Sequence, residues 1–551
     1  MSKSHTVKLT ITNNTNQEMN YQSDSFDSGR LADGGSWPAN IASGKSEIIE
    51  CCEKDWSAVG CSGYVNYSLG DGIVTLAFSN PTVGENKLGV GVGNKQVWNR
   101  IEGHKYEPFI EQFEIGSQRY FAACQCTGGK INNASIALSA LAILPYNPNA
   151  TMEFNVIQYN VFARPDNPKL LGYEGKEERL PKIPEALAQL NEGKVDIITL
   201  NEVFSQVGTP LCDQMLNEFK KYGFPYHTRV LDGGMLEKVG GVMIVSKWPL
   251  HADTYIYSDM PTRDNEDISV GLGEKIVAKG VVYAAVKKTE KGFTKTFHIF
   301  ATHMRAWNSQ TARETRQKQA KQMKEFVEAK NIPNNEPIFF AGDFNVDFVR
   351  CASELSDLAQ ILDAKLPELK GEQKYTSDPS SNILVGKDSA AKACLEAYKS
   401  SWGEKKENVY HPIPQVKNPT PPNPPISERD SFFAEPKKDS KLYSFFADPT
   451  KEKETLYIEE GGCYASCCLH EWLDYILFSN RHQQPLNTPT LECIRLKASS
   501  PFEASWLWID PPSIIEVVGK ELFTSTPKPD KIITSDLSDH YPVFSRFVFS
   551  A

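Results

Sequence analysis

Long apolar runs are missing from this chain of 551 residues. No stretch approaches the roughly 20 apolar residues that cross a bilayer as a helix, so no transmembrane segment is expected. The opening residues, Met-Ser-Lys-Ser-His-Thr-Val-Lys, lack the apolar core of a secretory leader. The expectation is a cytoplasmic protein, or one exported without a cleavable signal peptide. An excess of positive charge is also missing. Lys and Arg number 59 against 69 Asp and Glu, the formal net charge is −10, and no polybasic stretch is present. Such a chain gains no general counterion-release attraction for DNA or RNA, so nucleic acid is not an expected partner. Zinc motifs are absent too: there is no His-x-x-x-His and no paired C-x-x-C set. The 12 cysteines cluster as Cys51 with Cys52, Cys124 with Cys126, and Cys463 with Cys467 and Cys468. Adjacent cysteines without a leader favour free thiols in a reducing compartment.

What is present exceeds one core. At this length two to four domains are expected. Residues 6–142 carry short alternating runs, Val7 to Thr12, Gly63 to Tyr67 and Ile73 to Phe78, densely punctuated by Gly, Asn and Pro. This pattern predicts an all-β sandwich domain over residues 1–145. Pro145 to Asn149 reads as a linker. From residue 152 to 551 strand-like and helix-like stretches alternate, which predicts an α/β domain. Strands are expected at Phe154–Tyr159, Val195–Leu200, Gly241–Ser246, Lys279–Val286, Thr296–Ala301 and Ile338–Ala341. Helices are expected at Pro184–Leu190, Thr209–Tyr222 and Thr311–Lys330. Residues 388–460 interrupt the alternation as an insertion. His411 to Pro425 holds seven prolines, and Ser431-Phe-Phe-Ala-Glu-Pro436 recurs as Ser444-Phe-Phe-Ala-Asp-Pro449.

The first domain resembles the actinoporin-like and fungal fruit-body-lectin sandwiches. The likeness rests on Thr12-Asn-Asn-Thr15, Gly60-Cys-Ser-Gly-Tyr-Val-Asn-Tyr67 and Val74-Thr-Leu-Ala-Phe-Ser-Asn-Pro81. It implies recognition of lipid headgroups or sugars at membrane surfaces, with Ser79 and Pro81 in the headgroup-binding turn. Thr82 stands where that group carries an aromatic, and no amphipathic pore-forming helix opens the chain.

In the second region polar residues sit at strand ends, where packing gains nothing from them: Asn160, Asn201-Glu202, Thr302-His303, Gly342-Asp-Phe-Asn345, Asp474 and Asp539-His540. Carboxylate and amide oxygens suit a hard cation such as magnesium. A buried Asp474 would hold His540 in one tautomer, as a general base requires. The set reads as metal-assisted phosphoester hydrolysis by an activated water.

In this order the motifs resemble the endonuclease/exonuclease/phosphatase superfamily, and within it the bacterial-type neutral sphingomyelinases. Tyr159-Asn-Val161, Leu200-Asn-Glu-Val-Phe204, Gly240 to Pro249, Lys279-Gly-Val-Val-Tyr283, Ala301-Thr-His303 and Ser538-Asp-His-Tyr-Pro-Val543 carry the likeness. The resemblance implies a four-layer αββα sandwich and a magnesium-dependent phosphodiesterase acting on sphingomyelin-containing membrane. Glu202, helped by Asn160, would bind the metal, with Asp539 nearby. Asp343 and Asn345 would orient phosphate, water or a second cation. His540 would be the base, oriented by Asp474. His303 would stabilise the phosphate or protonate the leaving alkoxide. Phe162 stands where nucleases of the superfamily carry an acid. Trp506 and Trp508, in Ala504-Ser-Trp-Leu-Trp-Ile509, are expected at the bilayer interface, with core packing as the competing reading. A nuclease or phosphoinositide phosphatase on the same scaffold, or a catalytically inactive lipid-binding protein, are the rival functions.

Overall fold

The computed structural model describes residues 5–55, 59–101, 108–141, 149–164, 173–204, 209–231, 240–258, 278–306, 310–378, 381–386, 471–507 and 529–551. The insertion at 388–460, the cysteines at 463, 467 and 468, and Trp508 fall outside these residues.

The N-terminal strands build two sheets, one of six strands and one of five. Alternation dictates how they meet. In Thr6–Asn14, Val7, Leu9 and Ile11 are buried, while Lys8 is exposed and Thr10 and Thr12 are half-buried. The buried face packs on Val65 and Tyr67 of Cys61–Leu69 and on Val74, Leu76 and Phe78 of Gly72–Asn80, which belong to the other sheet. This is sheet-on-sheet packing, and the helix Lys95–Ile101 covers part of the outer face of the five-stranded sheet by packing Val97 and Ile101 on Ala77.

Two larger sheets form the C-terminal part. The seven-stranded one runs Tyr226–His227, Met243–Ser246, Ile197–Val203, Thr151–Ala163, Val543–Ser550, Thr490–Cys493, Glu368–Lys370. The six-stranded one runs Leu250–Ile256, Gly280–Glu290, Phe293–His303, Ile338–Asp343, Asp474–Ser479, Ala364–Lys365. They pack face to face through aromatics. The Phe154 ring stacks on Phe297 at 4.0 Å between centroids, and Phe339 lies 4.7 Å from Phe547. The outer face of the seven-stranded sheet is covered by the helices Ile183–Ala188 and Pro210–Lys221, which bury Leu187, Met215 and Phe219. Gln310–Ala329 and Phe348–Ile361 cover the other sheet with Met323, Phe326, Val327 and Leu358. The expected four-layer α/β sandwich, preceded by a β-rich region, is the observed fold. Where Leu190 was expected to end a helix, the α-helix stops at Ala188 and a 3-10 turn follows over Leu190–Gly193. A small third sheet joins Tyr173–Glu174, Lys497–Leu507 and Asp530–Asp536.

The N-terminal sheets touch the C-terminal ones directly. The Gln125 amide meets the His227 ring at 2.9 Å and accepts from the His227 backbone N–H at 3.1 Å. The Ala252 N–H donates to the Pro108 carbonyl at 2.9 Å.

Candidate active site

The two central sheets are apolar between their middles and polar at one end. Along the inward face of Thr151–Ala163, Met152, Phe154 and Val156 belong to the core, and Gln158 and Asn160 follow in the same alternating phase. The strand is irregular after Asn160, where its register to Ile197–Val203 shifts and Phe162 takes a φ of 52°. Glu202, on the paired strand, has a φ of 60°. Left-handed backbone at non-glycine residues costs about 1 kcal/mol or more each and persists only where neighbours enforce it. Here the Phe162 N–H donates to Asn160 Oδ1 at 3.0 Å, and buried Arg179 donates to the carbonyls of Val161, Phe162 and Leu537 at 3.1, 2.6 and 2.6 Å. One guanidinium thus ties the Asn160 strand end to the loop that carries Asp539 and His540.

On the facing sheet Gly342 allows close approach. A Cβ there would meet the Thr302 carbonyl at 1.9 Å. The two strands therefore bring His303 opposite Asp343, with His303 Nε2 3.7 Å from Asp343 Oδ2. Asn160 Nδ2 lies 3.1 Å from both Glu202 Oε1 and Asp343 Oδ2, which links the two sheets. His540 Nδ1 sits 2.7 Å from Asp474 Oδ2, and Trp472 Nε1 donates to the Asp474 carbonyl at 2.9 Å. Ser538 Oγ donates to the Asn160 carbonyl at 2.6 Å. The Asn345 N–H donates to Asp343 Oδ1 at 2.9 Å, and Asn345 Nδ2 donates to the Met304 carbonyl at 3.1 Å. The structure therefore gathers Asn160, Glu202, His303, Asp343, Asn345, Asp474 and His540 at one end of the sandwich.

Burial and charge act together here. The Glu202 carboxyl is pushed up to about 7, chiefly by burial and then by Asp539. The Asp343 carboxyl is pushed up to about 6, by burial and by Asp474. Burial alone would lower His540, but Asp474, Asp539 and Asp343 outweigh it and hold the imidazole well above its ordinary range. His303 is held well below that range by burial, with Lys279 and His540 adding to the effect.

These groups fit a hard divalent cation. Asp343, Asp474 and His540 each offer a ligand atom within 4.8 Å of the others. Glu202 Oε2 is buried without a hydrogen-bond partner, the state expected of an oxygen reserved for a cation. Asp539 is close enough to raise the Glu202 carboxyl. The compact triad differs from the Glu202, Asn160 and Asp539 set expected from the sequence, and the two sets adjoin through the Asn160–Asp343 bond.

Sequence reasoning missed Gln158, Arg179 and the supporting part played by Asn201, whose Oδ1 accepts from the Asp343 N–H at 2.8 Å. Gln158 had a signal, a polar residue in the inward phase of an apolar strand. Arg179 had none, because one Arg in the charged run Lys176-Glu-Glu-Arg179 looks like any other.

Of the two expected docking tryptophans only Trp506 is among the described residues, and it is placed differently from expectation. Trp506 is not exposed: it is 5% accessible, and this corrects the reading of it as a bilayer-facing residue. It lies on the middle strand of the small sheet, paired with Glu174 on one side and Asp530 on the other. Its ring packs with Phe162, Leu384, Ala504 and Ile532. Ser79 and Pro81 are half-buried and line a cleft of about 430 Å³ with Asp27, Val83 and Trp98. The Trp98 indole nitrogen is buried there without a partner.

The sequence model of the Endonuclease/Exonuclease/phosphatase family matches residues 157–540. The chain is similar to sphingomyelinase C of Bacillus cereus, 30% identical over 270 residues, which cover 45% of this chain and 73% of that protein. It is 27% identical to sphingomyelinase C of Listeria ivanovii over 261 residues, 44% of this chain and 70% of that one. Among solved structures, a Staphylococcus aureus beta toxin with bound magnesium ions aligns at 20% identity and a TM-score of 0.43, over 73% of this chain and 100% of that chain. Among the described residues no helix is long and apolar enough to cross a membrane.

Proposed function

The chain belongs to the endonuclease/exonuclease/phosphatase family, and from that premise we propose that it is a magnesium-dependent phosphodiesterase that hydrolyses sphingomyelin to ceramide and phosphocholine at a membrane surface. One observation carries the reading. Asn160 bridges Glu202 and Asp343 across two sheets, beside a His540–Asp474 pair at 2.7 Å. The sphingomyelinase C relatives support the choice of substrate class. So does Phe162, an apolar ring in place of a further acid two residues after Asn160.

Glu202, Asn160 and Asp539 would hold the magnesium, which when bound supplies positive charge against the phosphate oxygens and the departing alkoxide. With Nδ1 engaged by Asp474, His540 has Nε2 left for proton transfer, and magnesium beside Asp539 would offset the carboxylate charge that raises the metal-free imidazole, leaving that nitrogen unprotonated. It takes a proton from water as the water oxygen bonds to phosphorus and the bond to the ceramide oxygen breaks; the departing alkoxide takes a proton from solvent and leaves as ceramide, with phosphocholine as the other product. Asp474 balances the imidazolium so formed. His303, kept neutral by burial and by Lys279, has one N–H to donate to a phosphate oxygen. Asn160 holds Glu202 and Asp343 at a fixed separation, so neither carboxylate reorganises as charge moves.

In this reading residues 152–551 are the catalytic domain and residues 1–145 a docking domain. The cleft lined by Ser79, Pro81 and Trp98 supports headgroup binding by the sandwich, since an aromatic face suits a quaternary ammonium. Association with the membrane is peripheral. The test is phosphocholine release from sphingomyelin vesicles, with magnesium and after chelation, beside a DNA-nicking assay. Magnesium-dependent release without nicking is expected, and nicking without release would overturn the reading.

A further inference from the structure

We infer that Gln158 is a positioning residue of the hydrolytic site, holding the Asp474 carboxylate in the orientation that leaves Oδ2 for His540. The inference rests on the reading of His540 as the base. Gln158 is fully buried, on the inward face of Thr151–Ala163 behind Phe154 and Val156, where the pattern calls for an apolar residue. A buried amide is held by its partners, and here they leave it one orientation.

That orientation follows from backbone groups, which cannot turn over. The Asp343 N–H donates to Asn201 Oδ1 at 2.8 Å, and the Thr302 carbonyl accepts from Asn201 Nδ2 at 3.0 Å. Asn201 therefore presents its oxygen on the Asp343 side. The same oxygen lies 2.5 Å from Gln158, which must meet it with Nε2. Nε2 also reaches Asp474 Oδ1 at 3.2 Å, while Gln158 Oε1 accepts from the Thr199 hydroxyl at 2.6 Å. Asp474 thus has Gln158 on Oδ1 and His540 Nδ1 on Oδ2. A carboxylate with a donor on each oxygen cannot rotate without losing one. The hydrogen of the imidazole must then sit on Nδ1, and Nε2 is the nitrogen that accepts a proton. Two backbone groups of the six-stranded sheet set this tautomer through Asn201 and Gln158 of the seven-stranded sheet.

The test uses the full-length, magnesium-loaded protein. Gln158→Glu keeps the shape and replaces the donor by an acceptor, and Gln158→Met removes both functions. On a soluble short-chain sphingomyelin analogue, Gln158→Glu is expected to lower kcat at least ~100-fold and Gln158→Met ~10-fold, with KM changed less than about twofold. A second readout is independent of turnover. The His540 Nδ1–H bonded to Asp474 gives a far-downfield proton resonance, identified by its loss in His540→Ala. Gln158→Glu is expected to shift or abolish it. An unchanged resonance with unchanged kcat overturns the inference. If the wild-type protein releases no phosphocholine, the functional reading fails, and the resonance still decides for or against Gln158. Should Gln158→Glu not fold, Thr199→Val removes the hydroxyl that holds Oε1. A resonance unmoved in both Thr199→Val and Gln158→Met overturns the inference equally.

Discussion

The ring of Trp506 lies 6.3 Å from that of Phe162, tilted by 32°, and so braces the strand end that carries Asn160. A residue in this place supports the site from behind and does not meet the bilayer. Trp506→Ala should cost about 3–5 kcal/mol of stability, as loss of a buried tryptophan does. It should lower activity on sphingomyelin vesicles and on a soluble analogue alike, while Trp506→Phe keeps most of both. Thermal unfolding and the paired assays check this. Loss confined to vesicles would return Trp506 to a docking role.

Glu202 is the expected main anchor of magnesium. Glu202→Gln should reduce turnover by roughly three orders of magnitude, because a lost cation removes several kcal/mol of transition-state stabilisation. The fold should survive, since the amide fills the same space. Magnesium titration by calorimetry and the rate at saturating magnesium measure the effect. Near-normal turnover would assign the cation elsewhere.

Stability should depend on pH in a definite direction when the metal is removed. Glu202 and Asp343 are raised in the folded protein from 4.5 to about 7 and from 3.8 to about 6. A carboxyl raised on folding binds its proton more tightly in the native state. The stability it contributes is complete below about pH 4 and is lost as pH rises through 6 to 7. Chelated protein should therefore lose melting temperature across that window on account of these two groups. Magnesium should restore it most at the upper end and release protons on binding near pH 6–7. Calorimetry in buffers of different ionisation enthalpy counts those protons, and a count of zero would contradict the account.

His540 and Asp474 should act as one unit. His540→Ala and Asp474→Asn should each depress hydrolysis, and the double variant should lose little beyond His540→Ala. Independent multiplication of the two losses would mean that the carboxylate does not orient the ring.

Docking should be separable from chemistry in the sandwich. Val83 is 90% exposed on the lip of the cleft that Ser79, Pro81 and Trp98 line. Val83→Glu should weaken binding to sphingomyelin vesicles several-fold, through lost apolar contact, and leave soluble-analogue turnover unchanged. Vesicle sedimentation beside the two assays measures this. Undiminished sedimentation would remove the cleft from the docking reading.

The polar residues of the site were legible in the sequence because each interrupts an apolar run at a strand's end, where the core gains nothing from it. Asn160, Glu202, His303, Asp343 and Asp474 all stood out this way, and the alternation of strands with helices announced the layers that gather them. The long helix was legible to within one residue at each end, and Met323, Phe326 and Val327 are buried as their spacing demands. Gln158 was not legible. Its phase in the strand says that it faces inward, but its partner Asp474 is 316 residues away on another sheet, and only packing of the two sheets brings them within 3.2 Å. Trp506 was misread for a related reason. Period-two alternation buries half of a run of apolar residues without saying which half. The Glu174 and Asp530 strands on either side of it, together with the Phe162 ring, decided that. Local pattern is set by bonds along the chain and so is written in it. Which buried group meets which depends on how distant strands stack, and that information exists only once they have done so.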